Sequence, residues 1–266
     1  MVRSARFATL RRARRVWAVA AIHGEVARLV AVHDQIAERF RPGDRLVYLG
    51  NYLGHGPAIG ETVDELLAFR RAILARPGMM ACDIAFLRGA QEEMWGKLLQ
   101  IHLAFDPAEV MSWMAERGVA ATLAAYGGDL RRGIARARAG AVELARWTGE
   151  LRQAIQAHPG HDVLLSALKR AAFTDDGGLL FVHAGVEPSR PLEAQGDALW
   201  WGGAGFEAMT EPYAGFRLVV RGFDPAAKGV RVTAVTASLD AGCGRGGPLN
   251  AGCFDAVGRL DYLVEG

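Results

Sequence analysis

Apolar positions along the first third of the chain alternate between two periods. Val16–Ile22 (VWAVAAI) is a continuous apolar run of strand length, and after His23-Gly24 the residues Val26, Leu29, Val30, Ala37 and Phe40 recur at helical spacing. Arg41-Pro42-Gly43-Asp44 breaks that helix ahead of a second strand, Leu46–Leu49. The cycle repeats with a helix over Gly60–Ala75, a break at Pro77-Gly78 and a strand at Ile84–Leu87. From Glu92 to Lys169 the pattern is helical, broken most clearly at Gly127-Gly128 and Pro159-Gly160. Strands resume at Leu179–His183, Phe216–Arg221 and Val230–Ser238, and the glycine-rich stretch AGCGRGGPLNAGCF predicts tight turns between the last strands. Repeated strand–helix–strand units predict an α/β sheet flanked by helices, with residues 92–169 as a helical insertion or cap. No repeat and no linker divides the chain, so residues 16–266 read as one domain.

Composition refines this picture little. The 266 residues are 51% hydrophobic, enough for a sizeable core, and 31 basic against 29 acidic residues leave a net charge of +2. That balance supplies no general attraction to nucleic acid or acidic membranes, so no specific nucleic-acid partner is expected. The local exception is Arg3, Arg6, Arg11, Arg12, Arg14 and Arg15, which predict a solvated basic arm over residues 1–15. An apolar run behind arginines also fits a signal peptide, but Val16–Ile22 is at the short limit and leads into a helical pattern, so it reads as a buried strand. No segment is long enough to span a membrane. The three cysteines, Cys82, Cys243 and Cys253, form no CxxC pair, which fits a reducing cytoplasm.

Six loops carry the candidate chemistry, the first three at the C-terminal ends of successive strands, where open α/β sheets place ligands. They are AAIHG (Ala20–Gly24), GNYLGHGP (Gly50–Pro57), LRGAQEE (Leu87–Glu93), FVHAGVEPSRPLEAQ (Phe181–Gln195), VVRGFDP (Val219–Pro225) and the closing LDAGCGRGGPLNAGCFD. In this order the set resembles the calcineurin-like metallophosphoesterases, most closely the bacterial serine/threonine phosphatases and symmetrical dinucleoside-tetraphosphate hydrolases. That family's pattern is GDIHG, GDYxDRGP, LRGNHE, FVHAG with a following PLxxQ, VxGHTP and a DTGCxxGG strand pair; GVAATLAAYG (Gly118–Gly127) resembles its GGxxTLxSYG helix. The resemblance runs from Trp17 to Asp255 and implies an αββα sandwich with a helical insertion.

It also implies a reaction in which two metal ions, bridged by a carboxylate, hold a hydroxide that attacks phosphorus. Carried over residue by residue, that chemistry is missing. Ala21 stands where the family has its first Asp, Asn51 at the bridging Asp, Ala90 at the Asn of GNHE and Phe223 at the His of GHTP; His23 and His183 are kept. Gly54 and His55 replace the acid-orienting Asp and the phosphate-gripping Arg, Gln91 replaces the His that protonates the leaving group, and Gly202 falls at the Arg of a WIRE-like segment. Turn residues Gly24, Gly50, Gly56-Pro57, Gly89 and Gly185 are retained. The expectation is a pseudophosphatase: a retained fold with a disabled site, no cofactor, and a binding or regulatory role toward a protein partner or an anionic ligand. The alternative is a divergent hydrolase of phosphoproteins or dinucleoside polyphosphates, holding one Mn, Zn or Fe ion on His23, Asn51 and His183 with Glu92 or Asp224 as nearby acids. His55 reads as an exposed loop residue. Arg88 and Arg221 read either as rim cations for an anion or as partners of structural acids. Trp200-Trp201 is the tryptophan pair placed for a pocket mouth or interface.

Overall fold

The computed structural model describes residues 6–266. The chain opens with β1 (Phe7–Leu10) and β2 (Arg15–Val19), then alternates α1 (Val26–Arg39), β3 (Asp44–Tyr48), α2 (Ile59–Leu74) and β4 (Ile84–Phe86). A helical stretch follows: α3 (Ala90–Leu98), α4 (Pro107–Met114), α5 (Ala120–Ala125), α6 (Leu130–Ala139), α7 (Ala141–Gln156) and α8 (His161–Ser166). The remainder comprises β5 (Ala171–Thr174), β6 (Leu179–Val182), the single turns α9 (Ala198–Trp201) and α10 (Ala204–Glu207), then β7 (Leu218–Arg221), β8 (Arg231–Val232), β9 (Thr236–Ser238), β10 (Asn250–Asp255) and β11 (Leu260–Glu265).

These strands form two sheets. One has the order β11-β10-β2-β3-β4, with β2, β3 and β4 parallel; the other has the order β1-β5-β6-β7-β9-β8. The second sheet shows a period of two: Ala172, Leu179, Phe181, Leu218, Val220 and Ala237 join the main core with the first sheet, while Ala171, Leu180, Val182 and Val219 pack on Leu199, Trp200 and Phe206 of the α9–α10 layer. In the first sheet every residue of Val16–Val19 is buried, as expected for a strand covered on both faces. Helix α1 buries Leu29, Val32, His33 and Ile36, one face at helical spacing, and stops at Phe40, two residues short of Pro42. The α/β sandwich and the helical insertion therefore stand as expected.

Several boundaries are corrected. The stretch expected as a solvated arm is partly sheet: Phe7–Leu10 pair in parallel with β5, Leu10 is fully buried, and Arg15 bonds both oxygens of buried Asp44 at 2.9 and 2.6 Å. Four residues carry too short a pattern to outweigh the arginines around them. Met1–Ala5, including Arg3, lie outside the described residues. The strand expected at Val16–Ile22 ends at Val19, leaving Ala20–Ile22 to carry His23 into the site loop. Val230–Ser238 is two short strands, β8 and β9, joined by a turn in which Thr233 N–H donates to the Thr236 carbonyl at 2.8 Å. The helical block begins at Ala90 rather than Glu92, and β5, whose AAFT sequence follows a helix directly, was not anticipated.

Candidate functional site

The loops after β2, β3, β4, β6 and β7 meet at one end of the sandwich. Two of them hold non-glycine residues in the left-handed region, His23 at φ 56° and Asn51 at φ 54°, a strained conformation that the surrounding packing must enforce. With Gly50 at φ 92° before it, Asn51 begins a run of backbone N–H groups turned to one side, a nest suited to an anion. The anion is the chain's own Glu92. Its Oε2 accepts from Asn51 N–H at 2.9 Å and Gly89 N–H at 2.8 Å, and its Oε1 from Tyr52 N–H at 2.8 Å and Leu53 N–H at 3.1 Å. Burial pushes the Glu92 carboxyl above its ordinary range, and the four N–H groups pull it back.

The histidines follow from the same network. Asn51 Oδ1 accepts from Gln91 N–H at 2.9 Å, which turns its Nδ2 amide donor toward His23 Nε2 at 3.3 Å. His23 Nε2 is therefore an acceptor and Nδ1 carries the proton. That N–H is buried without a hydrogen-bond partner of good geometry, although the Leu53 carbonyl is near enough to raise its basicity slightly. His183 is fully buried and bonds Leu49 carbonyl through Nδ1 at 2.7 Å, so Nδ1 donates and Nε2 keeps an unpartnered lone pair. The Phe223 ring stacks on His183 at 5.2 Å and meets His23 edge-on at 6.0 Å.

The other mapped positions close the site from the sides. Ala21 and Ala90 are buried, Ala21 N–H donating to the Gly222 carbonyl at 2.9 Å. Gln91 donates through Nε2 to the Arg117 carbonyl at 2.7 Å, which fastens the chain between α4 and α5, where Gly118 kinks the backbone at φ 106°. Gly54 N–H donates to Thr122 Oγ1 at 3.2 Å, so the insertion sits on the site loop. His55 is exposed, as expected, with its ring 5.2 Å from that of His23. Gly54 leaves no room for a side chain: a Cβ there, at φ 123°, would lie 2.8 Å from His23 Nδ1 and 2.9 Å from Gln91 Cδ.

The two expected rim arginines part ways. Arg221 is buried, pairing with Glu207 at 2.5 Å and Asp224 at 3.0 Å, so it acts structurally. Arg88 stays partly exposed and bonds Glu93 at 3.2 Å. The tryptophan pair splits as well: Trp200 is buried under the second sheet, while Trp201 meets Trp113 of α4 edge-on at 6.1 Å. Sequence reasoning missed Arg245, which bonds the Pro225 and Asp224 carbonyls at 2.9 and 3.1 Å, reaches Asp240 at 3.4 Å and lies over Phe223. It also considered Glu92 only as a stray metal ligand. The usable signal was its place as the third residue of α3 after Gly89, the spacing at which Glu caps a helix start.

Comparison with solved structures bears on the fold that carries these loops. A protein described as a candidate diadenosine tetraphosphatase superposes with a TM-score of 0.58 at 21% identity, covering 99% of both chains. A hypothetical protein from Pyrococcus horikoshii OT3 gives 0.51 at 16% identity over 94% of this chain and 87% of its own. A cold-active protein-tyrosine phosphatase of a psychrophilic Shewanella gives 0.50 at 14% identity over 97% and 81%. The chain has the metallophosphoesterase fold. No family model and no curated protein matches the sequence.

A two-metal centre does not fit the residues at this end of the metallophosphoesterase fold. His23 spends its Nε2 lone pair on Asn51, Glu92 spends both oxygens on the backbone, Asp224 is paired with Arg221, and Phe223 offers no lone pair; His183 Nε2 alone of these stays open. Among the described residues no three His, Cys, Asp or Glu side chains are grouped to hold a metal ion.

Burying His23 and His183 has a pH consequence. Burial, then the charges of His55, His183 and Arg245, hold His23 well below the usual imidazole range, and burial lowers His183 from 6.5 to about 4. Well above pH 6.5 both imidazoles are neutral in folded and unfolded chains, and these two groups add no pH dependence. As the pH falls from 6.5 toward 4 the unfolded chain takes up the protons first, so stability drops, by about 3 kcal/mol for His183 alone. Urea denaturation at pH 7 and pH 4.5 tests this: the loss should shrink in His183→Gln, and an equal loss in that variant would sink the assignment.

Proposed function

We propose that this chain is a pseudophosphatase, a metallophosphoesterase-fold protein that has lost two-metal hydrolysis and acts by binding a protein partner or an anionic ligand. The observation that carries the reading is the fate of the lone pairs. The groups that would grip cations instead bond Asn51, the backbone and Arg221, and the Phe223 ring packs on both remaining histidines. In-line attack on phosphorus needs a positioned hydroxide and a proton donor for the leaving group. Gln91 replaces the donor and is tied to Arg117, while His55 stands in the place of a guanidinium clamp.

The site is closed rather than vacant, which directs the binding role to surfaces around it. The helical insertion is favoured, because Phe105, Leu103 and Trp113 are exposed there and Gln91 and Thr122 connect it to the site loops. A bacterial, cytoplasmic protein belongs to the same proposal: the cysteines are unpaired, and among the described residues no helix is long and apolar enough to cross a membrane.

The test is metal content after incubation with Mn²⁺ or Zn²⁺, together with p-nitrophenyl phosphate turnover. The expected result is metal well below one equivalent and turnover at the level of heat-denatured protein. One bound equivalent, with turnover abolished by His23→Ala, would replace this reading by the single-metal hydrolase.

A further inference from the structure

The end of the sandwich opposite the histidine site gathers arginines that the site does not use. Arg11, Arg12 and Arg14 lie on the turn between β1 and β2, and Arg41 on the turn between α1 and β3, ahead of the strands whose far ends lead to His23 and Asn51. Hydrogen bonds hold the two turns and β3 together. Arg14 N–H donates to the Gly43 carbonyl at 2.9 Å, and Arg45 donates to the Arg11 carbonyl through Nε at 3.0 Å and Nη2 at 2.7 Å. The stem of Arg14 lies across Gly43, where a Cβ would stand 2.8 Å from Arg14 Cδ. All four arginines are exposed, and among the described residues none of their guanidinium groups meets a carboxylate or other partner.

The nearby carboxylates are mostly engaged elsewhere. Asp44 is buried and accepts from Arg15, Trp17 and the Arg41 N–H, Asp83 pairs with Arg45 at 3.0 Å, and Glu38 pairs with Arg39 at 3.1 Å. Asp175, which takes the Arg12 N–H at 3.0 Å, and Asp176 beside it leave positive charge in excess. Two exposed aliphatic side chains border the patch: Met80, whose N–H bonds Asp83, and Val257, on the turn after Asp255, the strand partner of Arg15.

We propose that this end of the sandwich docks on the surface of an anionic lipid bilayer. A small anion needs guanidinium groups converging on one point, whereas these stand on separate turns. A charged plane needs them spread over one face, where each adds to the attraction. Nucleic acid fits less well. The four arginines stand on turns rather than on a helix or strand that could enter a groove, and Tyr262, the exposed ring beside Arg15, is stacked on Trp17. Met80 and Val257 suit the boundary between headgroups and acyl chains. Docking here leaves the histidine end directed to solvent, so a membrane-bound chain keeps that surface for a partner.

Co-sedimentation of the full chain with vesicles tests this, using phosphatidylcholine alone and phosphatidylcholine with about one-third phosphatidylglycerol. Binding is expected to the mixed vesicles only, falling steeply between about 0.1 and 0.5 M salt. The triple variant Arg11→Gln, Arg14→Gln, Arg41→Gln should bind about a hundredfold more weakly, at about fivefold per arginine, while the corresponding triple change to Lys should stay within about threefold of the parent. Both should melt as the parent does, since the three guanidinium groups hold no partner among the described residues. The same loss of charge elsewhere, Arg131→Gln with Arg138→Gln on the insertion and Arg190→Gln on the loop after β6, should change binding by less than about threefold. No binding to the mixed vesicles, equal binding to neutral ones, or an equal loss in the two Gln variants would each overturn the proposal. Tighter binding to a DNA duplex than to the vesicles at the same salt, lost in the first Gln variant, would give the surface to nucleic acid instead.

Discussion

Glu92→Ala is expected to lower the unfolding free energy by about 4 kcal/mol or more, the largest loss from any single polar change at the site. Four backbone N–H groups converge on that carboxylate, and a buried N–H left without an acceptor costs about 1–3 kcal/mol. Water cannot easily replace it, because the donors' residues Asn51, Tyr52, Leu53 and Gly89 are all buried. Glu92→Gln should fall between, since one carbonyl oxygen can serve two donors while its NH₂ faces the other two. Urea unfolding at pH 7 measures both variants, and a loss under about 1 kcal/mol for Glu92→Ala would mean that the loop is held by something else. The consequence reaches the histidines, because Asn51 orients His23 only while its own backbone is pinned.

The fold was legible wherever elements were long and periodic. Helices α1 and α2, the strands around Leu46–Leu49 and Ile84–Leu87, and the breaks at Gly127-Gly128 and Pro159-Gly160 follow from periodicity and turn chemistry. What stayed hidden was short and decided by distant partners. β1 exists because β5 lies beside it, and β5 follows a helix with no intervening turn signal. Division of the strands into two sheets was available only through the family resemblance, since strand patterns do not record which edge pairs with which.

The site shows a similar division. Motif spacing singled out residues that the fold brings together: Ala21, His23, Asn51, Gly54, Gln91, His183 and Phe223 lie close although the sequence spreads them over about two hundred positions. Spacing could not say how their remaining polar groups are used. The orientation of the Asn51 amide depends on Gln91 N–H, and the side chain at position 54 is excluded by His23 and Gln91 together. These residues form one packed arrangement, in which each replacement makes sense only beside the others. Arg221 makes the same point from outside the site, since the acids that occupy it, Glu207 and Asp224, come from α10 and from its own loop.

That interdependence sets the outcome of rebuilding the site with Ala21→Asp, Asn51→Asp, Ala90→Asn, Gln91→His and Phe223→His together. Asn51→Asp removes the amide donor from His23 Nε2 and frees its lone pair, while one carboxylate oxygen can still accept the N–H of residue 91. Phe223→His exchanges the ring stacked on His183 for one that carries nitrogen. Without metal, however, the carboxylates at positions 21 and 51 are both buried, where each charge costs several kcal/mol unless it is neutralised. In EDTA the rebuilt chain should therefore be much less stable than the parent, and Mn²⁺ at a hundredfold excess over its dissociation constant should return about 2.7 kcal/mol, while the parent melts alike with and without metal. Turnover of p-nitrophenyl phosphate should stay near background, because Gly54 and His55 supply neither a carboxylate nor a fixed guanidinium beside the rebuilt ligands. Adding Gly54→Asp should cost further stability, since its Cβ would press within 2.8 Å of His23 Nδ1 on a backbone at φ 123°. Thermal melts with EDTA and with Mn²⁺, read beside metal content, decide the matter: a rebuilt chain as stable in EDTA as the parent and indifferent to Mn²⁺ would show that these five positions do not form one metal-binding arrangement.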